Sequence, residues 1–188
     1  MYTVIDNFLK DFENIRNHLL NNLNESSLGQ PDTHNNMYFW CDIDQKNPFS
    51  NMCDQILNKI KSHYDMSKCV GYEVWTHNQS WATDGNYHVD KDETYMKATG
   101  KNSFPICSSV LYIAADLEDE TGQLFIELDN GMNDVVTPKA NRFVMFDSGI
   151  NHCVGIFNST DNRVGFNLNP WNYKVDTKTL LTGRDGPW

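Results

Sequence analysis

From residue 69 to residue 170 the sequence is a succession of short β-rich runs separated by turn residues, and no other feature limits the fold as tightly. The runs are 69–77, 85–90, 106–115, 123–128, 134–137, 142–147, 151–157 and 163–169. Val, Ile, Phe, Tyr and Thr fill them, and Gly, Asn, Asp or Pro punctuate them, which is the grammar of strands and tight turns. Eight such runs in about 100 residues, with no helical periodicity between them, predict an antiparallel sandwich or jelly roll.

Two amphipathic helices precede this region. Phe8, Leu9, Phe12, Ile15, Leu19, Leu20 and Leu23 recur at helical spacing, and Phe49, Met52, Cys53, Ile56, Leu57 and Ile60 do so more cleanly. Asn47-Pro48 reads as an N-cap followed by Pro in the first turn. Both stripes are core packing. The expected architecture is mainly β with N-terminal helices: a double-stranded β-helix, or jelly roll, braced by two helices. It forms one domain, with 1–66 as helical support, 69–170 as the jelly-roll core and 171–188 as a C-terminal tail.

Composition narrows the partners. The 188 residues carry 15 Lys plus Arg against 25 Asp plus Glu, a net charge of -10. Binding phosphates needs the opposite excess, so neither nucleic acid nor an anionic membrane is expected as a partner. With 5 Trp, 8 Tyr and 10 Phe the chain is too aromatic to be disordered. No apolar run reaches the ~20 residues that span a bilayer, and no basic start precedes a hydrophobic stretch. The five cysteines, at 41, 53, 69, 107 and 153, form no C-x-x-C pair. A soluble, cytoplasmic protein with reduced thiols is expected.

Of the six histidines, His18 and His63 fall on helices, His34 in a polar loop and His77 at a strand end, all positions suited to structural roles. His88 is different. In a strand, His88 and Asp90 project to one face and Val89 to the other, so an imidazole and a carboxylate can bind one metal ion side by side. His152 on a later strand can supply a third ligand. Two His and one carboxylate on one face of an octahedral ion leave three positions open, the arrangement of non-haem Fe(II) oxygenases. Eleven residues later comes Arg163. Alternation places Arg163, Gly165, Asn167 and Asn169 on one face of its strand, with Val164, Phe166 and Leu168 on the other. Arg on such a face is suited to grip a carboxylate with its two-pronged guanidinium.

The ordered set His88-x-Asp90, His152, Arg163 resembles the Fe(II)- and 2-oxoglutarate-dependent oxygenases, in particular their prolyl-4-hydroxylase-like branch. Ser109-Val110-Leu111-Tyr112-Ile113 looks like the family's strand after the first ligand pair. Thr121-Gly122-Gln123-Leu124-Phe125-Ile126 is similar to its Gly-Gly-x-Leu-x-Phe turn and strand, with Thr121 in place of the first Gly. The run 136–146 resembles the approach to the last His, and Val4-Ile5-Asp6-Asn7-Phe8-Leu9 resembles a common start. Gly165 stands where some relatives carry Ser. Several prolyl hydroxylases place a cosubstrate-binding Tyr on the strand after His-x-Asp. The matching inward position is read as Leu111, with Tyr112 facing away, which leaves Tyr72 and Trp75 as candidate second partners. Tyr87 and Trp81 are candidate substrate contacts.

The resemblance implies a hydroxylase in which His88, Asp90 and His152 hold Fe(II) and Arg163 anchors the far carboxylate of 2-oxoglutarate, with O2 as oxidant and succinate and CO2 as products. Asp90 implies hydroxylation, because related halogenases replace that carboxylate with a small residue. The expected substrate is an amino-acid side chain, with prolyl among the candidates, in a peptide or protein or as a free amino acid, entering beneath the loop 91–105. Three other readings stay open: a non-catalytic metal-binding jelly roll, a cupin-like metal enzyme and a small-molecule hydroxylase. The sequence does not fix oligomeric state.

Overall fold

The computed structural model describes residues 1–24, 38–78, 87–116, 121–155 and 162–176. In chain order these form β1 (Tyr2–Ile5), α1 (Phe12–Asn24), β2 (Tyr38–Asp42), α2 (Ser50–Lys61), β3 (Gly71–Asn78), α3 (Glu93–Thr99), β4 (Cys107–Asp116), β5 (Leu124–Glu127), β6 (Asn133–Val136), β7 (Phe143–Asp147), β8 (His152–Val154) and β9 (Asn162–Trp171). Six strands build a major sheet in the order β1-β7-β4-β9-β3-β2, and three build a minor sheet, β6-β5-β8. Every pairing is antiparallel. Residue 88 adds to the minor sheet's edge through a single bridge to residue 152.

The major sheet has two differently filled faces. One packs against Leu19 of α1 and Met52, Cys53, Ile56 and Ile60 of α2, through Tyr72, Val74, Leu111, Ile113, Phe143, Val164, Phe166 and Leu168. Each large apolar side chain removed from water here contributes about 1.5–3 kcal/mol. The other face meets the minor sheet through a smaller cluster of Val110, Tyr112, Leu124, Ile126, Val136, Val144 and Phe146. All five cysteines are free thiols.

Short elements in the first half depart from the sequence reading. The segment 1–66 contains two strands as well as helices. Tyr2–Ile5 pairs with β7, and the turn after it is stapled down. Asn141, in the left-handed region at φ 62°, accepts from the Leu9 N–H at 2.8 Å and donates to the Leu9 carbonyl at 3.0 Å. Arg142 grips both oxygens of Asp6, at 2.6 and 3.0 Å, holding that carboxyl down at about 2. Strand β2 closes the opposite edge; its Trp40 and Cys41 lie so close to Gly71 that a Cβ there would sit 2.4 Å from the indole. Asn47 caps the turn before α2 rather than the helix itself, accepting from the Phe49 N–H at 2.7 Å. His63 falls just beyond α2.

The polar loop 91–105 contains α3, seven residues capped by Asp92, whose side chain accepts from the Tyr95 N–H at 2.8 Å, and closed by Gly100 at φ 71°. Of the run expected as a strand over 85–90, the described residues 87–90 are bridged at His88 alone. His34 and Trp81 lie outside the described residues. Among the described residues no helix is long and apolar enough to cross a membrane.

Candidate metal and cosubstrate site

His88, Asp90 and His152 converge. One ligand atom from each lies within 4.8 Å of the others. Backbone pairing creates the convergence: residues 88 and 152 exchange both N–H···O=C bonds at 2.9 Å, which brings the two imidazoles to 4.4 Å between ring centroids. Asp90 Oδ1 sits 3.8 Å from His152 Nε2. Val89 lines the same cavity as its neighbours, so the convergence does not depend on the alternation of a regular strand.

A second layer orients these ligands. The Ile150 carbonyl lies 3.0 Å from His152 Nδ1, so a proton there leaves Nε2 bare and facing Asp90. Asn169 donates from Nδ2 to Asp90 Oδ2 at 2.9 Å and turns Oδ1 toward the histidines; its own carbonyl oxygen accepts from the Ser109 N–H at 2.9 Å. Burial pushes the His152 pKa down, which keeps the ring neutral and able to donate a lone pair. Phe146 packs edge-on against His152 at 4.8 Å, closing the site on the side of the inter-sheet core. Two imidazoles and one carboxylate oxygen, with His152 and Asp90 oriented from behind, fit Fe(II) or a similar divalent ion that keeps open positions.

Farther along the same face of β9 lies Arg163, only 2% exposed. Its Nε donates to the Gly122 carbonyl at 3.1 Å, and its guanidinium carbon stands 5.2 Å from the centre of the Tyr112 ring. Gly122 adopts φ 63°, whereas Thr121 has no positive φ, so glycine is needed only at the second position of that pair. The hydroxyl of Tyr112 is fully buried and, among the described residues, has no hydrogen-bond partner. An orphaned hydroxyl is costly, and beside a guanidinium it forms a seat with two kinds of donor for a carboxylate.

This corrects the reading of β4. Tyr112 points into the inter-sheet space, and Leu111 points to the helices. A bulge between Tyr112 and Ala114 offsets the pairing with β9, so simple alternation cannot be carried across it. Tyr72 is not at the site: it belongs to the helix-side core, and its hydroxyl accepts from Asn47 Nδ2 at 3.0 Å. Trp75 lines a cavity with His88 and Asp90, together with Tyr38, Glu73, Tyr87 and Lys91.

Glu73, unremarked in the sequence, is buried on this cavity wall. Burial pushes its carboxyl up to about 7, with Asp90 and Asp92 adding repulsion, against the lowering effect of hydrogen bonds from Tyr38 and Trp171. A lone carboxylate between the aromatic and aliphatic residues Tyr72, Val74 and Trp75 was the available signal.

No protein-family profile and no curated protein matches the sequence. Solved structures do match. A Pseudomonas putida prolyl 4-hydroxylase aligns with a TM-score of 0.65 at 18% identity, covering 92% of this chain and 93% of its own. The chain has the prolyl 4-hydroxylase fold. A Trichoplax adhaerens prolyl hydroxylase, in complex with a hypoxia-inducible-factor oxygen degradation domain peptide fragment, gives 0.61 at 14% identity over 91% of this chain and 83% of that one. A Phytophthora capsici prolyl 4-hydroxylase gives 0.57 at 17%, covering 99% of this chain and 60% of its own. With its jelly roll of two antiparallel sheets, the prolyl 4-hydroxylase fold here brings together the His-Asp-His group and, farther along β9, the Arg163–Tyr112 seat.

Proposed function

We propose that this protein is an Fe(II)- and 2-oxoglutarate-dependent dioxygenase that hydroxylates an amino-acid side chain, peptide-borne or free, with release of succinate and CO2. His88, Asp90 and His152 hold the metal, and Arg163 and Tyr112 hold the distal carboxylate of 2-oxoglutarate. When bound, the metal, cosubstrate and O2 supply the oxidising chemistry. The chain's own residues hold and aim. Ile150 and Asn169 set the ligand atoms, Arg163 fixes the cosubstrate's far end, and Phe146 keeps water from the inter-sheet side.

The observation that carries this reading is the Tyr112 hydroxyl, buried without a partner beside the Arg163 guanidinium. A metal-binding jelly roll that needs no cosubstrate has no use for either group at that depth. The peptide complex of the Trichoplax relative supports a peptide-borne side chain, and Lys91 and Glu93 in the cavity lining support entry beside the start of the segment 91–105.

The test is turnover. Purified protein with Fe(II), 2-oxoglutarate and O2 is expected to release succinate, faster in the presence of a peptide pool, and to add the mass of one oxygen to one component. His152→Ala is expected to abolish both while the fold persists. Full succinate release from His152→Ala, or none from folded wild-type protein, would overturn the proposal.

A further inference from the structure

The cavity beside Asp90 has a volume of about 350 Å³, at the lower end for small-molecule sites and sized for one long side chain. Tyr38, Trp75 and Tyr87 supply aromatic wall, and Glu73 is a buried acid on it. Each Glu73 oxygen has one neutral donor, the Tyr38 hydroxyl at 2.9 Å and the Trp171 indole N–H at 3.0 Å. Each retains a further lone pair. Among the described residues no Lys, Arg or His pairs with Glu73. Lys91 also lines the cavity, but it is bridged to Glu93 at 3.4 Å. Asp90 and Asp92 add negative charge nearby.

Charge decides what such a cavity receives. In the loaded centre of the proposed oxygenase, a metal dication, Asp90, a dianionic cosubstrate and Arg163 cancel. Glu73 is then the uncompensated charge of the wall. Burying a carboxylate without a cation is expensive, and filling the same space with an uncharged side chain would avoid that cost. Aromatic rings around it favour a cation as well. A neutral ring such as that of peptidyl proline leaves Glu73 as it was.

We infer that this cavity takes a cationic group, an ammonium or guanidinium on a basic amino-acid side chain, and that Glu73 is the carboxylate that receives it. The inference rests on the oxygenase reading for its reaction and deepens it by naming the substrate class. Glu73 is thus a specificity-determining residue.

The test is binding without turnover. Tryptophan fluorescence or calorimetry, with O2 excluded and at pH 8, follows Nα-acetyl-lysine methylamide, Nα-acetyl-arginine methylamide and their norleucine and proline counterparts. Wild-type protein loaded with Mn(II) and 2-oxoglutarate is expected to bind a cationic probe roughly 10–100-fold more tightly than the norleucine probe, the range of a charge-assisted contact with a buried carboxylate. Glu73→Gln is expected to bring that ratio close to unity. Should Glu73→Gln not fold, Glu73→Asp keeps the charge but shortens its reach, and is expected to lower the ratio about tenfold. Equal affinity for lysine and norleucine in the wild type, tighter binding of proline, or an unchanged ratio in the folded variant would overturn the inference. Succinate release is measured in parallel. Turnover on neutral side chains with no cation preference defeats the inference and leaves the oxygenase reading standing. Cation-selective binding without succinate under any condition does the reverse.

Discussion

Strand β9 separates two interiors built on opposite rules. On its helix side Val164, Phe166 and Leu168 join a cluster of aliphatic and aromatic side chains. On the other side Arg163 and Asn169 are buried just as deeply, Arg163 beside the Tyr112 ring and Asn169 bonded to Asp90. The helix side gains stability from every group it buries. The inter-sheet side holds polar groups that stabilise the free protein little and suit a ligand. One strand, read at a period of two, therefore buries apolar side chains at 164, 166 and 168 and polar ones at 163 and 169, where the proposed function places recognition.

The sharpest way to break this contrast is to exchange effects across the strand. Phe166→Ala, on the helix side, is expected to cost about 3–5 kcal/mol and to leave little folded protein at 37 °C, as chemical denaturation would report. Arg163→Met, on the other side, is expected to change the denaturation midpoint little, because a buried charge gives way to an apolar chain of similar length. Its affinity for 2-oxoglutarate should fall by roughly tens- to thousand-fold, with metal binding intact. A variant at Arg163 that unfolds while keeping its cosubstrate affinity would reverse the assignment of the two faces.

A smaller effect is expected at Asn169. Asn169→Leu leaves Asp90 Oδ2 without its donor, so metal affinity should drop about 10–100-fold by competition with a chelator. Asn167→Leu, whose amide donates to the Trp75 carbonyl rather than to a candidate metal ligand, should change metal affinity far less. Smallest is Tyr112→Phe. An unpartnered hydroxyl costs about 1–3 kcal/mol to bury, so the free protein should melt no lower once it is gone. Cosubstrate affinity should nevertheless fall about 3–10-fold, the worth of one neutral hydrogen bond. Loss of stability without loss of cosubstrate affinity would make Tyr112 a structural residue.

The two rules were unequally legible in the sequence. That His88, Asp90 and His152 lie together could be anticipated because metal chemistry restricts residue type, although the alternation expected of 88–90 is not what brings them together. The alternation of β9 held over its length, with Val164, Phe166 and Leu168 all in the helix-side core. Tyr112 was misread because the run Val110-Leu111-Tyr112-Ile113 is apolar on both faces, so nothing in it says which face meets the helices; Leu111 and Ile113 join the helix-side core and Val110 and Tyr112 the inter-sheet cluster. Tyr72 satisfied the residue type but not the face, which pairing with Pro170 and burial against the helices decide. Asn169 stood on the correct face, yet its bond to Asp90 joins residues 79 apart and only the folded sheets bring them together. Strands β1 and β2 and helix α3 are four, five and seven residues long, too short for a period to show.

The central claim is that the metal group and the Arg163–Tyr112 seat hold one cosubstrate between them. Its most direct test is the visible spectrum of the protein under strict exclusion of O2, as 2-oxoglutarate is titrated into the Fe(II)-loaded form. The account predicts a charge-transfer band that grows to saturation in the wild type, needs far more 2-oxoglutarate in Arg163→Met and is absent in His152→Ala. A folded, iron-loaded wild-type protein that develops no band, or a band of equal affinity in Arg163→Met, would contradict it.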